Sequence, residues 1–297
     1  MESTVPAPIA PLGPPLRFIP FRFPLSRTQA FLVHLALSAL AFSTLVLVML
    51  RWWFPGELFL VDGGWQGLKL VAMVDLVLGP LLTLILYKPG KRGLALDLSL
   101  IAAVQVAALA YGFVTTWQQR TVAVVYADRA FTTLSASDER EAAAKLLAKD
   151  VEPGDIEAIV AGTPQANRAV PLLLTPDPLP GGFGQYLEDL FNDFPEMHAR
   201  SDKYTVPASD EAVLVERALG LGDLEAAGER EAVEAALAKR PPGTTDSIAL
   251  HRFKARYADG IALYDIAAAR IVDYVPEPDG GWRQSPPAAS RMADGGV

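Results

Sequence analysis

The chain predicts a membrane α-helical fold, three transmembrane helices followed by a C-terminal α+β domain with a short antiparallel sheet. Three observations predict it. Apolar runs from Ala30 to Leu50, Leu68 to Tyr87 and Leu94 to Val114 are each twenty or twenty-one residues long, enough to cross roughly 30 Å of hydrocarbon. Past Trp117 the pattern changes to short helical and β-branched stretches. The charge balance divides at the same place. Residues 1–117 carry 8 Lys and Arg against 5 Asp and Glu, a net of +3, and 118–297 carry 18 against 29, a net of −11, which together give the −8 of the whole chain.

Seven prolines lie between Met1 and Leu25. They forbid a continuous helix, so residues 1–27 read as a disordered leader, with Leu16 to Phe23 able to rest on an anionic membrane surface. The first apolar run follows Arg17, Arg22 and Arg27, as in a signal sequence. Its apolar part exceeds the roughly 7 to 15 residues of such a signal, which makes it an anchor. In the loop from Arg51 to Gln66, Trp52, Trp53, Phe54 and Trp65 fall at the depth aromatic belts prefer, and Pro55, Gly56, Gly63 and Gly64 keep it tight.

The second run contains Asp75 and a Gly79-Pro80 step expected to kink it. Lys88, Lys91 and Arg92 fill the turn to the third run, so with Arg17, Arg22 and Arg27 one side holds six basic residues. Arg51, Lys69, Arg120 and Arg129 give the other side four. Basic residues stay on the cytoplasmic side, which predicts an inside N-terminus and an outside C-terminal domain.

Within that domain, residues 118–275, Thr121 to Ala127 is a β-branched run suited to a buried strand. Ser137 is placed to cap a helix from Asp138 to about Lys149, ended by Pro153-Gly154. A short helix near Asp155 to Val160 and a Pro-rich connection from Pro171 to Gly184 follow. Gly184 to Phe194 sets Tyr186, Leu187, Leu190 and Phe194 on one face, the pattern of an amphipathic helix. Further helices are expected from Ser209 or Asp210 to about Leu219 and from Leu224 to Lys239. Ile248 to Tyr257 and Ile261 to Tyr264 flank a hairpin turn at Ala258-Asp259-Gly260, and Arg270 to Val275 adds a third antiparallel strand. Residues 276–297 read as a flexible tail.

Little in the chain signals catalysis. It has no cysteine, which excludes thiol chemistry and Cys-ligated zinc, and its three histidines, His34, His198 and His251, fall at no metal-ligand or triad spacing. No phosphate loop, GxSxG elbow or HExxH helix occurs, and Gly181-Gly182-x-Gly184 reads as a plain loop. No catalytic residue, metal or cofactor is therefore expected. The acidic C-terminal part argues against nucleic acid.

Asp75 is the sharper feature, because a carboxyl about 10 Å inside its span cannot snorkel to water. It reads as a polar contact to a partner helix or to the basic groups of an ion path, for which three helices enclose little volume, or else as an intramolecular hydrogen bond to Gln105 or to Ser and Thr hydroxyls of the neighbouring spans. Ser99, Ala103 and Ala107 repeat every four residues on the third span, and Ala108 pairs likewise with Gly112. Such rows let membrane helices approach closely. Asp97 near the start of that span is expected to pair with Lys91 or Arg92.

Together Phe54-Pro55-Gly56, Gly63-Gly64-Trp65, Asp75 through Thr83, Lys88-Pro89-Gly90-Lys91, Asp97-Leu98 and Tyr111-Gly112 resemble the type IV pilin accessory proteins. The resemblance runs from about Ala30 to Tyr126, and is looser at Tyr257 to Tyr264. It implies a bacterial inner-membrane protein with a periplasmic domain, no catalytic residues, and a role in assembling type IV pili by acting on the major pilin in the bilayer. Candidate partner contacts are then Asp75, Gly79, Pro80, Asp97, Ser99, Ala103, Gln105, Ala107, Ala108 and Gly112. The competing reading is a membrane-anchored periplasmic sensor, against which stands the lack of room for an effector domain on the cytoplasmic side.

Overall fold

The computed structural model describes residues 25–176, 181–208, 211–226, 228–241 and 243–277. Arg17, Arg22, Ser209, Asp210 and nearly all of the expected leader and tail lie outside the described residues. Three helices are long and apolar enough to cross a membrane: α1 (Arg27–Trp53), α3 (Gly64–Leu86) and α4 (Leu94–Gln118), with a short α2 (Leu58–Val61) between the first two.

Helix α1 begins where Ser26 caps it. The Ser26 hydroxyl accepts from the Gln29 N–H at 3.2 Å, and the Gln29 carboxamide accepts from the Ser26 N–H at 2.8 Å, a reciprocal box that satisfies two otherwise orphaned donors. Met49–Trp53 at the end of α1 and Met73–Leu78 within α3 are π-helical. The second π turn stands directly before Gly79-Pro80. Proline offers no N–H to the preceding turn, so the hydrogen-bond ladder slips in register where the sequence predicts a kink.

Helix α3 is central. In its apolar window 33% of residues are buried inside the protein, against 6% for α1 and α4. Ala30, Ser38, Leu45 and Met49 of α1 turn inward, as do Ile101, Gly112 and Thr116 of α4. Two rings expected in an interfacial belt turn inward as well. Trp53 is buried edge-on against Phe113 and Trp117, with ring centroids at 5.0 and 5.4 Å, and Phe54 is buried beside it, whereas Trp52 and Trp65 remain exposed.

The extramembrane domain continues without a linker. It comprises β1 (Thr121–Ala127), β2 (Ala130–Ser135), α5 (Ala136–Leu147), α6 (Ile156–Val160), β3 (Leu172–Leu174), α7 (Gly182–Phe191), α8 (Ala212–Glu216), α9 (Leu221–Ala226), α10 (Arg230–Ala238), β4 (Ile248–Lys254), β5 (Asp259–Asp265) and β6 (Arg270–Pro276). One sheet has the order β3-β1-β2-β4-β5-β6. It is mixed, which corrects the short antiparallel sheet predicted: β1 with β3 and β2 with β4 are parallel, and the other pairs antiparallel. Parallel pairing needs a long crossover and leaves no local turn signal.

Other boundaries shift for local reasons. Ser135, not Ser137, caps α5, its hydroxyl accepting from the Asp138 N–H at 3.2 Å. The Pro-rich connection contains strand β3, which pairs with Val124, Val125 and Tyr126. Gly182, at φ +62°, and Gly184 lie at the start of α7 rather than in a free loop. The single helix predicted from Leu224 to Lys239 is interrupted near Gly228, whose φ of +72° no helix permits. The β4–β5 turn falls at residues 255–258, because Asp259 and Gly260 already pair with Lys254 and Phe253.

Both sheet faces are covered. On one, Tyr126, Phe131, Phe253 and Tyr264 pack with Leu214 of α8 and with Val61 of α2. On the other, α5 and α6 cover Ala123, Val125, Leu134 and Leu173, while α9 and α10 cover Leu250, Ile261 and Leu263.

Candidate functional site

Two buried carboxyls organise the membrane part and its junction with the sheet. Asp62 follows α2, a single turn whose apolar residues Leu58 and Val61 pack into the sheet core. Its Oδ2 accepts from the Thr121 hydroxyl, and its Oδ1 accepts from the Thr133 hydroxyl at 2.8 Å and the Arg256 N–H at 3.0 Å. Beside it the Tyr257 N–H donates to the Val61 carbonyl at 3.0 Å. Gly63, at φ +103°, lies so close to the Tyr257 ring that an added Cβ would come within 2.7 Å of it. One short loop thus joins α1, α3, β1, β2 and the β4–β5 turn. Burial pushes the Asp62 carboxyl up, opposed by the Thr121 hydroxyl and the Arg256 charge.

Asp62 was not among the residues the sequence singled out. Its hydrogen-bond partners are 59, 71 and 194 positions away. The available signal was a short apolar segment ending in an acid and two glycines, between two membrane spans.

Asp75 lies in the π turn of α3 and is 5% exposed. It belongs to a row of one residue every fourth position, Gly67, Val71, Asp75 and Gly79, that meets α4. Thr116 Oγ1 sits where a Cβ on Gly67 would approach to 3.1 Å, Val71 Cγ2 is 3.0 Å from a Cβ built on Gly112, and a Cβ on Gly79 would fall onto the Gln105 carboxamide. Small residues therefore bring α3 and α4 together at three levels. On the other flank His34 Nδ1 and Thr83 Oγ1 of α1 and α3 are hydrogen-bonded at 2.6 Å, and the His34 imidazole neighbours Asp75. Among the described residues none donates a hydrogen bond to the Asp75 carboxyl; the Gln105 side chain packs on Gly79 instead.

The candidate residues thus divide. Asp75, Gly79, Pro80 and Gly112 are buried between the spans, with Gln105 and Ala108 half-buried beside them. Ser99, Ala103 and Ala107 lie exposed on the outer surface of α4. Asp97 accepts from Lys91 Nζ in the α3–α4 turn. Arg27, Lys88, Lys91 and Arg92 share the end of the bundle opposite the sheet domain. His34, left unpaired by sequence, is the residue whose role only the fold discloses.

His198 lies in a turn and His251 on β4, apart from each other and from His34. Among the described residues no group of three or more His, Asp or Glu side chains converges to hold a metal ion. Polar contacts, apolar packing and a membrane-embedded acid are what the arrangement offers.

These features define a membrane protein in which a three-helix bundle is pinned by a short loop to a mixed α/β domain. The chain is 34% identical over 110 residues to the fimbrial assembly protein of serogroups C1 and C2 of Dichelobacter nodosus, covering 36% of this chain and 81% of that protein. It is 34% identical over 111 residues to the serogroup E1 protein of the same organism, covering 37% of this chain and 40% of that one. With the serogroup I protein it shares 35% over 98 residues, 32% of this chain and 37% of that one. The chain belongs to the family of these fimbrial assembly proteins. It spans about two fifths of the length of the E1 and I relatives. No family model matches it, and no solved structure does.

Proposed function

We propose that this protein is a non-enzymatic accessory factor for type IV pilus assembly, which binds and stabilises the major pilin in the bacterial inner membrane. The observation that carries the reading is the similarity to fimbrial assembly proteins over about a third of the chain. In this reading the end of the bundle bearing Arg27, Lys88, Lys91 and Arg92 is cytoplasmic and the sheet domain periplasmic, following the distribution of basic residues.

A pilin awaiting assembly presents an apolar helix to the bilayer and a folded head outside it. The exposed row Ser99, Ala103 and Ala107 offers such a helix a surface with little side-chain bulk, where close backbone approach supplies the packing that hydrocarbon does not. Asp75, which has no hydrogen-bond donor among the described residues, is buried between the spans, so in this reading it reaches the pilin helix only where the spans part to admit it. The test is co-purification of pilin with the full-length protein in detergent. Wild-type capture and an at least tenfold loss in the Ala103→Leu, Ala107→Leu double variant are expected. Equal capture by that variant would remove the α4 face from the reading.

A further inference from the structure

Helix α7 is mounted inside out. Its sequence is strongly amphipathic, and an ordinary helix of that kind turns its apolar side to the core. Here the polar side is anchored. Asp189 is buried at 9% exposure and accepts from Arg200 Nη1 at 2.5 Å and from Gln185 Nε2 at 2.7 Å. Arg200, itself buried, also donates to Asp202 from Nε at 2.8 Å and Nη2 at 2.9 Å. A cleft of about 390 Å³ lined by Val151, Gln185, Asp202 and Lys203 lies beneath this polar side. The opposite side carries Phe183, Tyr186, Leu190 and Phe191, which are 74%, 38%, 59% and 84% exposed. Four large apolar side chains at i, i+3, i+7 and i+8 in water are what a helix presents before it enters a groove on another molecule.

Position and charge select the occupant. β1 leaves the membrane span at Thr121 and runs to Ala127, and β3, parallel to it, ends at Leu174 opposite Tyr126. α7 follows β3, and Lys145 near the far end of α5 pairs with Asp193 just after α7. The helix therefore hangs from the end of the domain remote from the spans, some 20 Å away at about 3.3 Å per strand residue, out of reach of the chain's own bilayer. A second copy is opposed by charge, since residues 118–297 carry a net of 18 − 29 = −11. Acids rim the patch: Glu188 is exposed, as are the Asp193 and Glu196 side chains at 78% and 70%.

We propose that α7 docks a different polypeptide, one presenting an apolar groove bordered by Lys and Arg; on the pilus-assembly reading, on which this rests, that partner is the pilin head. Full-length protein in nanodiscs, wild type and the Phe183→Ser, Leu190→Ser, Phe191→Ser triple variant, is titrated with purified full-length pilin, with oligomeric state measured alongside. All three positions are solvent-exposed, so the fold is retained, and unchanged far-ultraviolet circular dichroism and melting verify that. A single Phe191→Ser variant provides a milder test. The expected result is an at least tenfold weaker pilin affinity for the triple variant, a smaller loss for Phe191→Ser, and wild-type binding that weakens as salt rises. Wild-type affinity in the triple variant overturns the docking role while leaving the membrane contact standing. Dimers of the protein that the triple variant dissolves assign the face to self-association and overturn it equally. Absence of pilin binding by the wild-type protein overturns both this inference and the reading beneath it.

Discussion

Asp62 and Asp75 are both acids taken out of water, thirteen positions apart in sequence and in different environments. Asp62, at the edge of the membrane part, receives hydrogen bonds from two threonine hydroxyls and a backbone N–H. Asp75, in mid-span, has a neighbouring imidazole and no donor among the described residues. A buried charge is tolerated when its lone pairs are satisfied and is destabilising when they are not. The difference separates an acid whose hydrogen bonds hold this molecule together from one buried between the spans with no donor among the described residues, which the proposed function reads as a partner contact.

The comparison can be broken at its structural end first. Asp62→Ala strands the Thr121 and Thr133 hydroxyls and the Arg256 N–H at once and is expected to lower the stability of the junction by about 3–5 kcal/mol, at about 1–3 kcal/mol for each buried donor left unsatisfied. Limited proteolysis between the spans and the sheet domain, with melting of the purified protein, measures it. A loss below about 1 kcal/mol would make the junction incidental.

The second prediction concerns acid. His251 is wholly buried among the rings of Tyr126, Phe131 and Tyr264, and burial pulls its pKa from 6.5 down to about 4. The folded protein then binds the proton less readily than the unfolded chain does. His251 therefore contributes stability that is present above pH 6.5 and is lost as pH falls toward about 4, by about 3 kcal/mol in all. His251→Phe should flatten that window of the melting curve. Asp62 acts with the opposite sign, since its raised pKa favours the folded state in acid, an advantage lost as pH climbs from 3.8 through the folded value. Asp62→Asn should remove that trend.

Gly63→Ala sharpens the junction further. A left-handed φ of +103° and the Tyr257 ring in the path of a side chain predict a loss of about 1–3 kcal/mol. Gly56, also left-handed but with open space around it, provides the control: Gly56→Ala carries only the backbone strain.

What could be read from the sequence tracks how local each cause is. The three spans emerge because hydropathy is a sum over neighbours, and Thr121 to Ala127 and Ile156 to Val160 because strand and cap signals lie within a few residues. The Lys91 and Asp97 pair is six positions apart and was equally visible. The mixed sheet was not, because β2 meets β4 through a crossover of more than a hundred residues, and a parallel pair has no turn to announce it. The amphipathicity of α7 was visible, but not which side faces the protein, since Asp189 is anchored by Arg200 beyond the helix. The small-residue rows were visible too, and only the packing of α4 on α3 separates Ala108 and Gly112, turned inward, from Ser99, Ala103 and Ala107, turned out.

The smallest expected effect on stability is at Asp75 itself. Burying a polar group without a hydrogen bond is costly, and Asp75 has no donor among the described residues, so Asp75→Leu, an apolar side chain of similar volume, should leave the melting temperature of the purified protein unchanged or raised. Capture of pilin by this variant, measured beside its melting, tests the central claim most directly. A melting temperature at or above wild type with capture reduced at least tenfold is the predicted result. Wild-type capture by Asp75→Leu, or a collapse of stability comparable to that of Asp62→Ala, would contradict it.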